Sequence, residues 1–113
     1  MATYKMHLEN EHFELIKSGN KKVDARLLDS KRSAIRTGDL IEYSNRSNDD
    51  KIVCKVNGIY KFPTFKELYS LTDKRLMGYI DGQEYNYHDM EEYYSTTDQE
   101  TYGVIAIYVE LLR

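Results

Sequence analysis

Apolar residues occupy alternate positions at the start of the chain, where Tyr4, Met6 and Leu8 are interleaved with Lys5 and His7. A two-residue period puts them on one face of a strand over Thr3 to Leu8. Asn10 offers an N-cap for a short helix, Glu11 to Lys17, in which Phe13 and Ile16 share a face, and Ser18-Gly19 stops it. A second strand is expected over Lys22 to Leu28. Along it Val23, Ala25 and Leu27 point one way while Lys22, Asp24 and Arg26 point the other. Asp29 to Arg36 suits one or two helical turns, Thr37-Gly38-Asp39 a turn, Leu40 to Ser44 a strand, and Asn45 to Asp50 a polar hairpin loop.

The second half is less regular. Lys51 to Tyr60 reads as a longer strand with Ile52, Cys54 and Val56 on one face, broken by Phe62-Pro63-Thr64. Thr64 can cap a helix from Phe65 to about Leu71, Asp73 to Tyr79 suits another short helix, and Asn86 to Tyr94 a third, with Tyr87, Met90, Tyr93 and Tyr94 at helical spacing. The last segment, Tyr102 to Leu112, is apolar on both faces over Val104 to Ile107, as in a strand covered on both sides. Strands and helices do not alternate regularly, which argues against a doubly wound sheet. The expected class is α+β, a small mixed β-barrel with helices packed around it.

Composition narrows the setting. A chain of 113 residues, 41% hydrophobic and 31% charged, suits one domain over residues 1–113. No stretch approaches the ~18 apolar residues of a membrane span, and residues 1–13 lack a signal-peptide core. The expectation is a cytoplasmic protein without membrane attachment. Cys54 is the single thiol, which leaves no disulfide within the chain and no thiolate metal cluster. Its step with Ile52 and Val56 makes it a small core residue. His7, His12 and His88 are scattered, so no metal is expected. With no nucleophile elbow and no phosphate-cradling glycine loop, no cofactor is expected either.

Charge is unevenly spread. The total is −3, which argues against indiscriminate coating of nucleic acid. Between Lys17 and Arg36, however, seven Lys and Arg face two Asp, so that this stretch carries +5 and the remainder −8. Asp81 to Glu100 is the opposite extreme, with seven acids and no Lys or Arg. Such asymmetry predicts one positive face able to steer and hold an anionic ligand, although two solvated surfaces of different sign would give the same pattern.

Gly19-Asn20-Lys21-Lys22-Val23-Asp24-Ala25-Arg26 resembles the Gly-x-Lys-x-x-Glu-x-Arg signature of ASCH domains, with Asp in place of Glu. Arg26 to Arg32, then Ile35, Gly38-Asp39 and an apolar strand follow as in small bacterial stand-alone ASCH proteins. Tyr94-Ser95 and then Tyr102-Gly103-Val104-Ile105 close the chain in the same order. The resemblance implies a PUA-like fold with a cleft beside the signature, and a ligand that is RNA or a nucleotide or nucleoside derived from it. One branch resembles amidohydrolases that deacetylate N-acetylated cytidine. There the signature Lys is catalytic with a Thr three residues later and a Glu further on. Lys21 matches; position 24 is Asp and supplies no hydroxyl. Asp73 is a loose candidate for the Glu.

The residues themselves allow two readings. Arg26 can grip a phosphate or a base edge through two parallel hydrogen bonds, Lys21 adds a movable charge, and Asp24 can orient Arg26 or accept from a base amine. A row of Lys22, Asp24 and Arg26 on a strand also suits weak surface ion pairs. Lys21 and Asp24 are the candidate catalytic pair, because a Lys whose pKa is lowered by burial can act as a base. Lys21, Lys22, Asp24, Arg26, Lys31 and Arg32 are the candidate ligand contacts, the cations among them to phosphate. Seven of the eleven Tyr lie between Tyr79 and Tyr108. Most suit packing, while Tyr93 and Tyr94 are candidates for stacking on unpaired bases. A regulatory module that binds a protein partner through this acidic, Tyr-rich segment is a third possibility. The chain is expected to be a monomer or a weak dimer.

Overall fold

The computed structural model describes residues 1–112. Its strands are β1 (Thr3–Leu8), β2 (Val23–Leu27), β3 (Leu40–Asn45), β4 (Lys51–Phe62) and β5 (Val104–Leu111), and its α-helices are α1 (Asn10–Ser18), α2 (Phe65–Leu71) and α3 (Thr96–Tyr102). They form one mixed sheet in the order β1-β3-β4-β5-β2, with β1 parallel to β3 and the other pairs antiparallel. The sheet curls into a half-barrel. Its two edge strands, β1 and β2, are bridged by Arg26, whose Nη2 donates to the His7 carbonyl at 3.0 Å, and Lys31, in the segment after β2, donates from Nζ to the Lys5 carbonyl at 3.1 Å. These contacts satisfy β1 edge carbonyls that a neighbouring strand would otherwise take.

Two apolar clusters follow from strand alternation. Inside the curl lie Met6, Leu8, Ile41, Tyr43, Ile52, Cys54, Ile105 and Ile107, closed by Phe13 and Ile16 of α1. On the outer face of β2 and β5, Val23, Ala25, Val104 and Ala106 pack against Phe65, Leu68 and Tyr69 of α2 and against Met77. Asp24 and Arg26 therefore point inward, opposite Ile107 and Ile105 of β5. A bulge between Val56 and Gly58 bends β4, which runs past the expected Tyr60 end to Phe62, paired with Val104.

Several local expectations are corrected. Glu9, not Asn10, holds the N-cap position of α1. The Asn10 side chain instead accepts from Asn45 Nδ2 at 2.9 Å, tying the helix start to the end of β3. Residues 73–79 form successive turns rather than a helix, because the Leu76 carbonyl is used by the amides of Lys22 and Val23, at 2.8 and 3.0 Å. Asp29 to Arg36 contains a 3₁₀ turn at Arg32–Ala34, and Asn86 to Tyr94 a 3₁₀ helix at Tyr87–Glu92. Tyr102 ends α3, which was not expected, and the last strand starts at Val104. No helix among the described residues is long and apolar enough to cross a membrane.

Candidate functional site

Gly19 closes α1 in a left-handed conformation, φ 85°, with its amide on the Ile16 carbonyl. This C-terminal turn reverses the chain so that the Lys21 amide returns to the Leu15 carbonyl at 3.0 Å. The Lys21 side chain then folds under α1, where it is only 7% exposed, and its Nζ lies 3.0 Å from His12 Nδ1. Gly78 presses on it from the other side: φ is +89°, and a Cβ there would come within 3.3 Å of Lys21 Cβ. A side chain at position 78 would be strained and would crowd the lysine.

Three residues on, Asp24 is buried with both oxygens engaged. Oδ1 accepts from Arg26 Nε at 2.9 Å and Oδ2 from the Tyr43 hydroxyl at 2.7 Å. Burial alone would raise the Asp24 pKa, but the Arg26 charge and hydrogen bond, with help from Lys21 and Tyr43, outweigh it and hold the carboxyl below its usual range. The Arg26 guanidinium is held protonated: burial opposes its charge and the Asp24 partner more than restores it. Lys21 goes the other way, its pKa lowered mainly by burial, with Arg26 adding repulsion against a partial offset from Asp24. His12 is lowered by burial and then by the Lys21 charge. Burial thus weakens the hold of both Lys21 and His12 on a proton.

Lys21, Asp24, Arg26 and Arg32 line one cavity of about 450 Å³, and Tyr93 and Tyr94 stand on its wall. Tyr93 is 50% exposed and meets His12 edge-on at 6.5 Å, whereas Tyr94 stacks on Phe65 at 5.6 Å and is half-buried. Lys22 and Lys31 do not line this cavity. Lys22 is exposed just before β2, and Lys31 is occupied with the Lys5 carbonyl. Asp73 is also absent from the wall, its carboxylate capping the turn through the Arg75 amide at 2.9 Å. The acids that do line it, besides Asp24, are Glu9, Glu11, Asp89 and Glu92.

Sequence reasoning missed His12, Tyr79 and Glu92 on the cavity wall. His12 carried a usable signal, since it lies one turn before Ile16 and next to Phe13 on α1, close in sequence to the Lys21 bend. Tyr79 and Glu92 come from irregular segments and carried none. Among the described residues, no group of three His, Cys, Asp or Glu is arranged to hold a metal ion.

The ASCH domain family model matches residues 6–113. No curated protein matches the chain. Among solved structures the chain is similar to hypothetical protein PH0355, 30% identical, with 99% of this chain and 100% of that one covered and a TM-score of 0.82. It is also similar to protein PF0455 from Pyrococcus furiosus, 28% identical, covering 98% of each chain, TM-score 0.71. The S128A mutant of ZmASCH from Zymomonas mobilis, at 16% identity, shares the fold over 96% of this chain and 67% of that one, TM-score 0.70. The curled sheet with its packed helices is accordingly a PUA-like fold. With nearly its whole length matched, the chain belongs to the ASCH domain family.

Proposed function

We propose that the cavity binds RNA through an unpaired nucleotide, or a nucleotide or nucleoside derived from RNA. The observation that carries this reading is the convergence of Lys21, Asp24 and Arg26 on one concave wall of about 450 Å³ beside Tyr93. That volume lies within the ~300–1,000 Å³ typical of small-molecule sites. Tyr93 offers a half-exposed ring for stacking. Lys21 supplies a positive group that few water molecules reach, and Asp24 holds the Arg26 guanidinium in a fixed direction. Mixed charge along the wall suits a ligand with both donors and acceptors, as a nucleobase on its ribose has. The test is a salt-dependent titration with short single-stranded RNA and with the four ribonucleosides and their monophosphates. Wild type is expected to bind at least one, and Lys21→Met and Tyr93→Ala to bind it more weakly. Absence of binding by wild type to all of them would contradict the reading.

One observation favours a second reading. Lys21 is withdrawn from solvent and its proton is held less tightly than an ordinary lysine's. Such an amine can serve as a base toward an acylated pyrimidine nucleoside. Asp24 supplies no hydroxyl and is fully occupied by Arg26 and Tyr43, so in this reading it positions rather than attacks. Incubation with N-acetylated cytidine should release acetate, with the activity lost in Lys21→Met. An inert wild type removes it.

A further inference from the structure

Three guanidinium groups, those of Arg26, Arg32 and Arg46, belong to the cavity wall built on the end of β1 and the chain that crosses it. Each is held along part of one edge by a carboxylate. Arg26 Nε meets Asp24 at 2.9 Å, Arg32 Nη1 meets Asp29 at 2.8 Å, and Arg46 Nε meets Glu9 at 3.4 Å. Such pairing sets the direction of a guanidinium without consuming its five donors.

The remaining donors are distributed unevenly. Arg26 spends Nε on Asp24 and Nη2 on the His7 carbonyl, and among the described residues its Nη1 makes no hydrogen bond. Arg32 spends Nη1 on Asp29, and its Nε is shut from solvent with no partner. Its Nη2 makes no hydrogen bond among the described residues either. Arg32 Nη2 and Arg26 Nη1 are thus guanidinium donors that no protein acceptor takes among the described residues.

We infer that this end of the cavity is a phosphate subsite, so that the ligand is a nucleoside monophosphate and not a free nucleoside. The inference rests on the nucleotide or nucleoside reading above. Arg32 Nη2 and Arg26 Nη1 are the donors that meet the phosphate oxygens, and Arg46, which lines the same cavity, adds a third guanidinium charge. Guanidiniums carried by three separate segments suit a tetrahedral group with three terminal oxygens better than a planar carboxylate with two. His7 and Glu9 line the same cavity, as do Tyr93 and His12, whose rings meet edge-on.

Calorimetric titration of wild type, Arg32→Ala and Arg32→Lys with the four ribonucleosides, their 5′- and 3′-monophosphates and inorganic phosphate tests this. Wild type is expected to bind one monophosphate roughly tenfold or more tighter than its nucleoside, as charge-assisted hydrogen bonds give. That gap should close in Arg32→Ala and be only partly restored by Lys, which lacks the fork. Should Arg32→Ala fail to fold, Arg46→Ala, whose side chain is 56% exposed, makes the same comparison. Equal affinity of wild type for nucleoside and monophosphate overturns the inference and leaves the cavity reading standing. Tight inorganic phosphate binding without a nucleotide advantage overturns it as well. No binding of any nucleoside or nucleotide removes the cavity reading itself.

Discussion

The Nζ of Lys21 lies 3.0 Å from Nδ1 of His12, and among the described residues it forms no salt bridge with a carboxylate. Asp24, three residues along, is already committed to Arg26 and Tyr43. A cation in this position is a cost to the fold, because burial outweighs the attraction it receives. Groups that lower stability yet persist at a cavity are candidates for function.

Lys21→Met keeps the aliphatic stem and removes that cost. The variant is expected to be at least as stable as wild type at pH 7, with a gain of about 1 kcal/mol raising Tm by roughly 4 °C, while ligand binding falls. The pH dependence has a definite sign. A pKa lowered from 10.5 means that the unfolded chain binds this proton more readily, so the penalty is present at neutral pH. It fades as pH rises from the folded value toward 10.5. Thermal melts of the two proteins at pH 7 and pH 9.5 check this: their difference should shrink at the higher pH.

His12 gives the complementary pH window. Its pKa is lowered from 6.5 by burial and then by Lys21, so the unfolded state takes up a proton first on acidification. The stability tied to neutral His12 is complete above pH 6.5 and is lost as pH falls through the lower folded value. Comparing wild type with His12→Gln between pH 7 and pH 5 should show a steeper loss for wild type.

Asp24→Asn acts in the opposite direction. It leaves the Arg26 charge buried without its carboxylate and is expected to cost about 3–5 kcal/mol, measured by denaturant unfolding. Because the Asp24 pKa is depressed below 3.8, the stability it contributes is complete above that pH and is lost only as pH falls through the folded value. Its contribution should therefore be undiminished down to about pH 4 and decline below it.

Tyr93 and Tyr94 are neighbours with different work. Tyr93→Ala should leave Tm nearly unchanged and weaken binding of unpaired RNA by about 1–3 kcal/mol, the worth of one stacked base. Tyr94→Ala removes a ring stacked on Phe65 in the outer cluster and should lower Tm as well.

Where alternation was clean, the sequence was enough. β1 and β2 carry apolar residues every second position, and the face shared by Asp24 and Arg26 followed from the same count, whereas its inward direction did not. The Lys21 bend was legible because Gly19 announces a helix end. Failures have local causes. Helix α3 has no apolar stripe over Thr96 to Tyr102 and is marked only by the Ser95 cap on Asp98 and by Gly103, chemistry that an apolar search passes over. Residues 73–79 looked helical, but the Leu76 carbonyl completes the edge at Lys22 and Val23, a tertiary demand that local spacing does not carry. Lys22 was grouped with Asp24 and Arg26 by strand phase, yet it precedes β2 and faces solvent. Lys31 looked free to meet a ligand, whereas β1 takes its donor. Cys54 was read as core, and it is buried with its thiol pushed up to about 12, so thiol reagents should label it only on unfolding.

Residue-by-residue NMR of the labelled protein during titration with a short single-stranded RNA locates the ligand directly. Shifts concentrated at Lys21, Asp24, Arg26 and Tyr93, saturating with added RNA, are the predicted result. Saturable shifts that leave those four residues untouched and gather on another face would contradict the assignment of this cavity as the binding site.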